Sequence, residues 1–245
     1  MCGRYATTRS TIQLTEAFHI AADNAEDVKR QDYNVSPQKS APIVLSALPP
    51  DAAKTADAVR QLRMAKWGIT PVWMAKAGKT GRPLNNARAE TIGEKPTFRR
   101  PFEKRRCLVP ADGFFEWFPG TDKDGKEYKQ PFYFRPTDGD VFAMAGIVEW
   151  WHEPDTDEKL WIPTFSIITT AATDDAGKVH DRMPMTVLAD RWDAWLDPDL
   201  TDAATVRHLM AAPAKGSLDI FPVSRAVSTS KNNGPALIEP IELPA

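Results

Sequence analysis

The chain is expected to be an α+β protein made mostly of antiparallel strands, with short helices at its periphery. Three observations carry that expectation. Short apolar or alternating runs recur along most of the sequence, separated by polar turns of similar size, which is the spacing of strands that pair antiparallel. The strand-helix alternation of a doubly wound sheet is missing, as is a glycine-rich phosphate loop. Twenty-one Pro and 13 Gly are scattered through 245 residues, which favours many short elements over a few long ones. A chain of this size can bury a sizeable core. It reads as one domain over 1–245, with an extended or partly disordered tail from about 233.

Taken in order, Thr11 to Ile20 predicts a helix: Ser10 and Gln13 stand at capping-box spacing, and Leu14, Ala17 and Phe18 fall on one face. Residues 21–32 are polar and read as a loop. Tyr33 to Pro37 is extended, because Pro37 disfavours helix at Ser36. Ile43 to Leu48 and Gln61 to Trp67 predict two strands of a hairpin, joined by a polar connection that starts at Pro49. Trp67-Gly-Ile-Thr-Pro-Val-Trp73 suits a rigid loop, and 74–83 suits a mobile one.

Lys95 to Arg106 holds six basic residues and one acid, six minus one giving a local +5, with Phe98 and Phe102 interleaved. Such a run is either a solvated helix face or a basic stripe anchored by buried aromatics and facing phosphates. Cys107 to Trp117 reads as strand, turn, strand, and residues 120–129 as a hairpin tip. Further strands are expected at Pro131–Phe134, Val141–Trp151 and Thr164–Thr170. Asp190 to Leu196 predicts a helix with Trp192, Trp195 and Leu196 turned to the core; Thr201 is the expected N-cap of another running to Met210. Asp219 to Val227 returns as a strand.

Composition excludes several classes. With 31 basic and 33 acidic residues the net charge is -2, so any nucleic-acid site must be a local patch. Two cysteines and four scattered histidines supply neither a disulfide framework nor zinc-ligand spacing, so no metal and no cofactor is expected. No signal-like or membrane-spanning apolar run occurs, which fits a cytoplasmic protein without a membrane partner.

The residues that carry chemistry begin at the start of the chain, Met1-Cys2-Gly3-Arg4-Tyr5. Once Met1 is removed, Cys2 offers an α-amine and a thiol on adjacent carbons. Both ordinarily titrate at about 8, so a usable fraction of each nucleophile exists at neutral pH. A 1,2-aminothiol suits an aldehyde. The amine forms a Schiff base, and the thiol then closes a five-membered thiazolidine in an intramolecular step. Otherwise Cys2 is a small residue packed under a sheet.

Arg4 puts an anion-binding fork beside it. Trp67 is either core or a platform on which a base stacks. Glu116, among Phe114, Phe115 and Trp117, either has the raised pKa of a buried carboxyl or alternates outward to solvent. His180 stands beside Asp181, which can orient its ring, and Arg182, which can bind an anion.

Eight segments in order, MCGRY, YNVSP, WGITPVW, NNARAET, RRCLVPADGFFEW, AGIVEWW, TFSIITTAA and VHDRMP, resemble the SOS response-associated peptidase (SRAP) family from residue 2 to about 190. The resemblance implies a barrel-like antiparallel core with peripheral helices and a groove for single-stranded DNA. It implies covalent capture of abasic sites through the N-terminal cysteine, with Met1 removed autocatalytically. Carried over position by position, it makes Cys2 the nucleophile, Asn86 its positioning partner, and Glu116 and His180 the acid-base pair. It makes Arg4, Arg88 and Arg182 phosphate contacts and puts Pro37 and Trp67 along the groove. A threonine that lines the family's site falls on Thr169 or Thr170, and Thr170 is taken.

The expected partner is single-stranded DNA containing abasic sites, bound by a monomer, with abasic-site lyase activity where the thiol fails to close the ring. Two other readings remain. Cys2 could be the N-terminal nucleophile of a true peptidase or amidohydrolase, its amine serving as base. Alternatively the chain is a non-catalytic single-strand-binding module. The last 50 residues or so are assigned a packing role.

Overall fold

Five strands close on one another to form the centre of the molecule. The computed structural model describes residues 2–48, 57–71, 83–121, 125–151 and 161–243. Strands β3 (Ser40–Ala47), β4 (Val59–Trp67), β6 (Arg106–Ala111), β9 (Phe142–Trp151) and β10 (Ile162–Ala171) run in the order β10-β4-β3-β6-β9, and β9 pairs back onto β10. The result is a closed barrel. Four of its five seams are antiparallel, as expected, but β10 and β4 are parallel, with Thr164 opposite Lys66. A closed ring with an odd number of strands cannot alternate direction throughout, so one parallel seam is unavoidable.

Alternation sorts each strand onto two faces. Ile43, Leu45, Ala65, Trp67, Cys107, Val109, Met144, Phe165 and Ile167 fill the lumen. Val44, Leu62, Leu108, Ala145, Ile147 and Ile168 face outward beneath the helices. Burial on both faces explains why β6 has no polar stripe, all six of its residues being buried.

The covering helices are α1 (Thr11–Ala17), α2 (Pro96–Lys104), α4 (Trp192–Leu196) and α5 (Ala203–His208), which contribute Leu14, Phe98, Phe102, Trp192, Trp195 and Val206. Helix α1 opens with the expected capping box between Ser10 and Gln13 but ends at Ala17, short of Ile20. Helix α5 is capped by Asp202, not Thr201: the Asp202 carboxylate accepts from the Thr205 N–H at 2.8 Å, and a carboxylate at that position also complements the helix dipole. This helix stops at His208 because Met210–Ala211 (β13) pairs with Thr186–Val187 (β12).

A second sheet, β14-β8-β7-β1-β2, is antiparallel throughout and lies against the lumen cluster. Its strands are β1 (Arg4–Thr7), β2 (Asp32–Val35), β7 (Gly113–Thr121), β8 (Glu127–Pro136) and β14 (Leu218–Pro222). Tyr5, Val35, Phe114 and Phe134 pack into the lumen cluster, while Ala6, Phe115, Tyr133, Val223, Val227 and Leu237 form a separate cluster.

Beyond the barrel, the end of β10 is flanked by β5 (Asn86–Arg88), parallel to it, and β11 (Arg182–Pro184), antiparallel to it; the short α3 (Ala176–Val179) lies between β10 and β11. The strand expected over Asp219–Val227 ends at Pro222, and a 3-10 turn follows at Arg225–Ser228. The C-terminal stretch carries another 3-10 turn, Pro235–Ile238, which buries Leu237.

The connection from Pro49 to Ala56, most of the expected mobile loop, and Trp73 lie outside the described residues. Among those described, no helix is long and apolar enough to cross a membrane.

Candidate functional site

Four elements deliver one side chain each to the open end of β10. Cys2 lies just ahead of β1 and is fully buried. Asn86 opens β5, directly opposite Ile167 of β10, and its Nδ2 donates to the Cys2 carbonyl at 2.8 Å. Glu116 shares the Phe114 face of β7, next to β1, and is 3% exposed. His180 follows α3, and its Nε2 lies 3.8 Å from Glu116 Oε2. The four residues expected to act together are therefore brought together from positions 2, 86, 116 and 180.

Electrostatics divides their roles. Burial pushes the Glu116 carboxyl up to about 7, so near neutral pH it can both give and take a proton. Burial, reinforced by the Glu116 carboxylate, holds the Cys2 thiol well above its ordinary value, so the sulfur rests as a thiol. The His180 pKa is lowered, chiefly by burial, which favours the neutral ring. The backbone N–H of Arg182 donates to His180 Nδ1 at 3.0 Å, leaving Nε2 on the Glu116 side. Asn86 Oδ1 is buried and accepts nothing from the described residues, so it is an acceptor in need of a donor.

The remaining expected residues divide three ways. Arg88, on β5, is exposed and makes no ion pair among the described residues. Pro37 is part-exposed at the turn into β3, beside Gln38, whose N–H donates to the Trp67 carbonyl at 2.8 Å. Trp67 itself is fully buried: its Nε1 donates to the Asn85 carbonyl at 2.9 Å, and its ring meets Tyr5 edge-on and Phe165 face-to-face. With neither face open, this ring packs the lumen and gives a base no platform.

The other two arginines are engaged within the protein. Arg4 Nη1 donates to Asn34 Oδ1 at 2.6 Å and to the Val227 carbonyl at 2.8 Å, and its guanidinium lies over Trp117. Arg182 is clamped by both oxygens of Glu90, at 2.7 and 3.0 Å, and its Nη2 also donates to the Thr169 carbonyl at 2.6 Å. That clamp holds the Glu90 carboxyl down to about 2. Of the two adjacent threonines, Thr169 rather than Thr170 meets Arg182, its Oγ1 accepting at 3.2 Å, because strand alternation turns the two to opposite faces.

Residue-level reading missed Asn34 and Glu90. Glu90 sits in the polar NNARAET segment, whose density was a usable signal, whereas nothing local marks Asn34. The basic run of 95–106 is also less free than its charge suggests. Arg106 is buried, donating from Nε to the Trp195 carbonyl at 2.6 Å and from Nη1 to the Glu103 carbonyl at 2.6 Å, and Arg105 pairs with Glu149. Among the described residues, no cluster of His, Cys, Asp and Glu could hold a metal.

Known proteins share this arrangement of sequence and fold. The chain is 33% identical over 239 residues to the abasic site processing protein YoqW of Bacillus subtilis (strain 168), covering 98% of this chain and 99% of that one. It is 28% identical over 270 residues to the abasic site processing protein HMCES of Gallus gallus, covering 99% of this chain and 79% of that one. A crystal structure of a protein from Bacteroides thetaiotaomicron superposes with a TM-score of 0.78 at 26% identity, over 98% of this chain and all of the other. The model of the SOS response associated peptidase (SRAP) family matches residues 1–230, and the chain belongs to that family.

Proposed function

We propose that this protein captures abasic sites in single-stranded DNA as a covalent thiazolidine, through Cys2 once Met1 has been removed. The observation that carries the reading is the convergence of Asn86, Glu116 and His180 on Cys2, with the Asn86 amide bonded to the Cys2 carbonyl at 2.8 Å. The relatives named as abasic site processing proteins support abasic DNA as the substrate.

An abasic deoxyribose rests mainly as a closed hemiacetal, and opening it requires a proton relay, which His180 and Glu116 would supply. The Cys2 amine attacks the exposed C1′ aldehyde to give a carbinolamine. Loss of water, with the proton supplied by Glu116, gives the imine. The thiol adds across the C=N bond, sulfur to carbon and proton to nitrogen, closing the ring. The net change is aldehyde plus aminothiol to thiazolidine plus one water.

The amine attacks first and the sulfur second, because the thiol closes the ring intramolecularly onto the imine carbon that the amine has made. The buried Asn86 Oδ1 is an acceptor for an N–H or O–H of the reacting pair.

The test is a denaturing gel and intact mass after mixing the protein with single-stranded DNA carrying one abasic site. A heat-stable adduct is expected, absent with undamaged DNA and absent for Cys2→Ala. A protein with a confirmed free Cys2 terminus that gives no adduct overturns the reading. DNA bound through its phosphates should also be held without sequence preference and released by salt.

A further inference from the structure

The basic run that ends at Arg106 divides into two sets. Arg106 is buried on backbone carbonyls, Arg105 pairs with Glu149, and Arg99 pairs with Glu103 at 3.0 Å. Lys95, Arg100 and Lys104 are exposed and make no ion pair among the described residues. Arg100 and Lys104 stand on α2, and Lys95 is its N-cap residue. Phe98, Pro101 and Phe102 bury the other side of this helix, so its apolar face fixes it and its charged face meets solvent. The acids beside these cations are Glu94, which is exposed, and Glu103, which Arg99 engages.

This face continues from the candidate site. Arg88, exposed at the end of β5, stands two residues past Asn86. The Thr91 N–H donates to the Arg88 carbonyl at 3.1 Å and the Lys95 N–H to the Thr91 carbonyl at 3.2 Å, so hydrogen-bonded turns lead directly from β5 into α2. Arg207 of α5 holds the same turn, its Nη1 donating to the Ala89 carbonyl at 2.6 Å. The helix is therefore set rigidly beside Arg88.

We propose that the exposed face of α2 is a docking surface for DNA: Lys95, Arg100 and Lys104 hold the sugar-phosphate backbone of the strand that carries the abasic site, where that strand runs on past Arg88. This inference rests on the reading of the chain as a protein that captures abasic sites in single strands.

Charge and shape select that occupant. The whole chain carries a net charge of -2, so attraction for a polyanion has to come from a local surface, and these three cations have one unengaged acid among them. At about 1.5 Å per residue, the rise from Lys95 to Lys104 is about 13 Å. That is the length of about four nucleotides of stacked strand, at about 3.4 Å each. Both aromatic rings of the helix are turned inward, so the face meets phosphates and offers no stacking platform for a base. Its contribution is affinity and register, without sequence readout.

Arg100→Gln combined with Lys104→Gln removes two charges from exposed helical positions at little cost in helix propensity, and a melting midpoint checks the fold. Binding of undamaged single strands is measured over a salt series for wild type and variant. Capture is measured at saturating abasic strand. The strands are a long one extending past the site on both sides, and two others trimmed close to the site on one side each.

On the long strand the slope of log affinity against log salt should fall by about 1.4, or about 0.7 for each lost phosphate contact. The saturating capture rate should change by less than about two-fold, because uniform binding is lost and chemistry is not. Trimming one side should abolish the difference between wild type and variant, and trimming the other should preserve it. Three results overturn the proposal: an unchanged salt slope, a difference that survives trimming on either side and so marks a general field, or a wild type that does not bind the long strand. A wild type that binds strands yet forms no adduct counts against capture alone, and the salt slopes still decide the role of α2.

Discussion

Glu116 is costly where it sits, and the cost has a sign. In the unfolded chain this carboxyl titrates at its ordinary value of 4.5, and in the folded protein at about 7. The folded state therefore holds a proton that the unfolded state has lost. Stability is fully present below 4.5 and declines as pH rises to 7, by about 3 kcal/mol in all. Glu116→Gln should flatten that decline in urea titrations across the window and leave the variant more stable than wild type at pH 8, while slowing capture. A variant whose stability keeps the wild-type slope would show that Glu116 is solvated. Asn86 makes the opposite case, a residue whose worth lies in one hydrogen bond to Cys2. Asn86→Asp replaces a donor with a carboxylate facing a carbonyl, and capture should slow by about 10- to 100-fold as the nucleophile loses its place. Single-turnover gels would check it.

Strand β10 is the element on which the site depends. One half of it closes the barrel against β4 and β9; the other half carries β5 and β11, and with them Asn86 and Arg182. On its neighbour β9, a Cβ at Gly146 would lie 2.8 Å from Cys107 Sγ and 2.9 Å from Val109 Cγ2, both on β6. Gly146→Ala should cost about 1–3 kcal/mol by overpacking the lumen. Combining it with Cys107→Ala should recover part of the loss, a coupling that a double-mutant cycle in urea measures. Gly113, at the entry to β7, has no such escape, because its Cβ would meet the Phe134 carbonyl oxygen at 2.4 Å. Backbone cannot retreat as a side chain can, so Gly113→Ala should be the more damaging of the two in the same assay.

Across the whole molecule, the two ends of the chain hold each other. Asn34 Nδ2 donates to the carbonyls of Val227, Thr229 and Asn232, and Arg4 reaches Val227 as well. The C-terminal segment is thus an anchor of the strand that follows Cys2, a larger part than the packing role its composition suggested. Removing residues 224–245 deletes buried Val227 and Leu237 and should lower stability by about 4 kcal/mol, a fall of about 10 °C in melting midpoint. Capture should fall further than stability alone explains, because Arg4 and Asn34 lose their partners. Unchanged capture by the folded truncated protein would separate the anchor from the site.

What the sequence determined by itself is local. Capping chemistry placed the start of α1, apolar runs placed the barrel strands, and the eight ordered motifs identified Cys2, Asn86, Glu116 and His180 as one group. The cap and the runs were legible because each depends on residues near one another in the chain, and the group of four because the ordered motifs resemble a known family. The tertiary structure alone decided the rest. Ring closure with five strands imposed the parallel seam between β4 and β10. Burial decided in favour of core for Trp67, which the sequence left as either core or platform. Partners 92 and 223 positions away took Arg182 and Arg4 out of the pool of free cations. An arginine's chemistry is the same wherever it stands, and what it binds depends on which acceptors the fold brings within 3 Å of it.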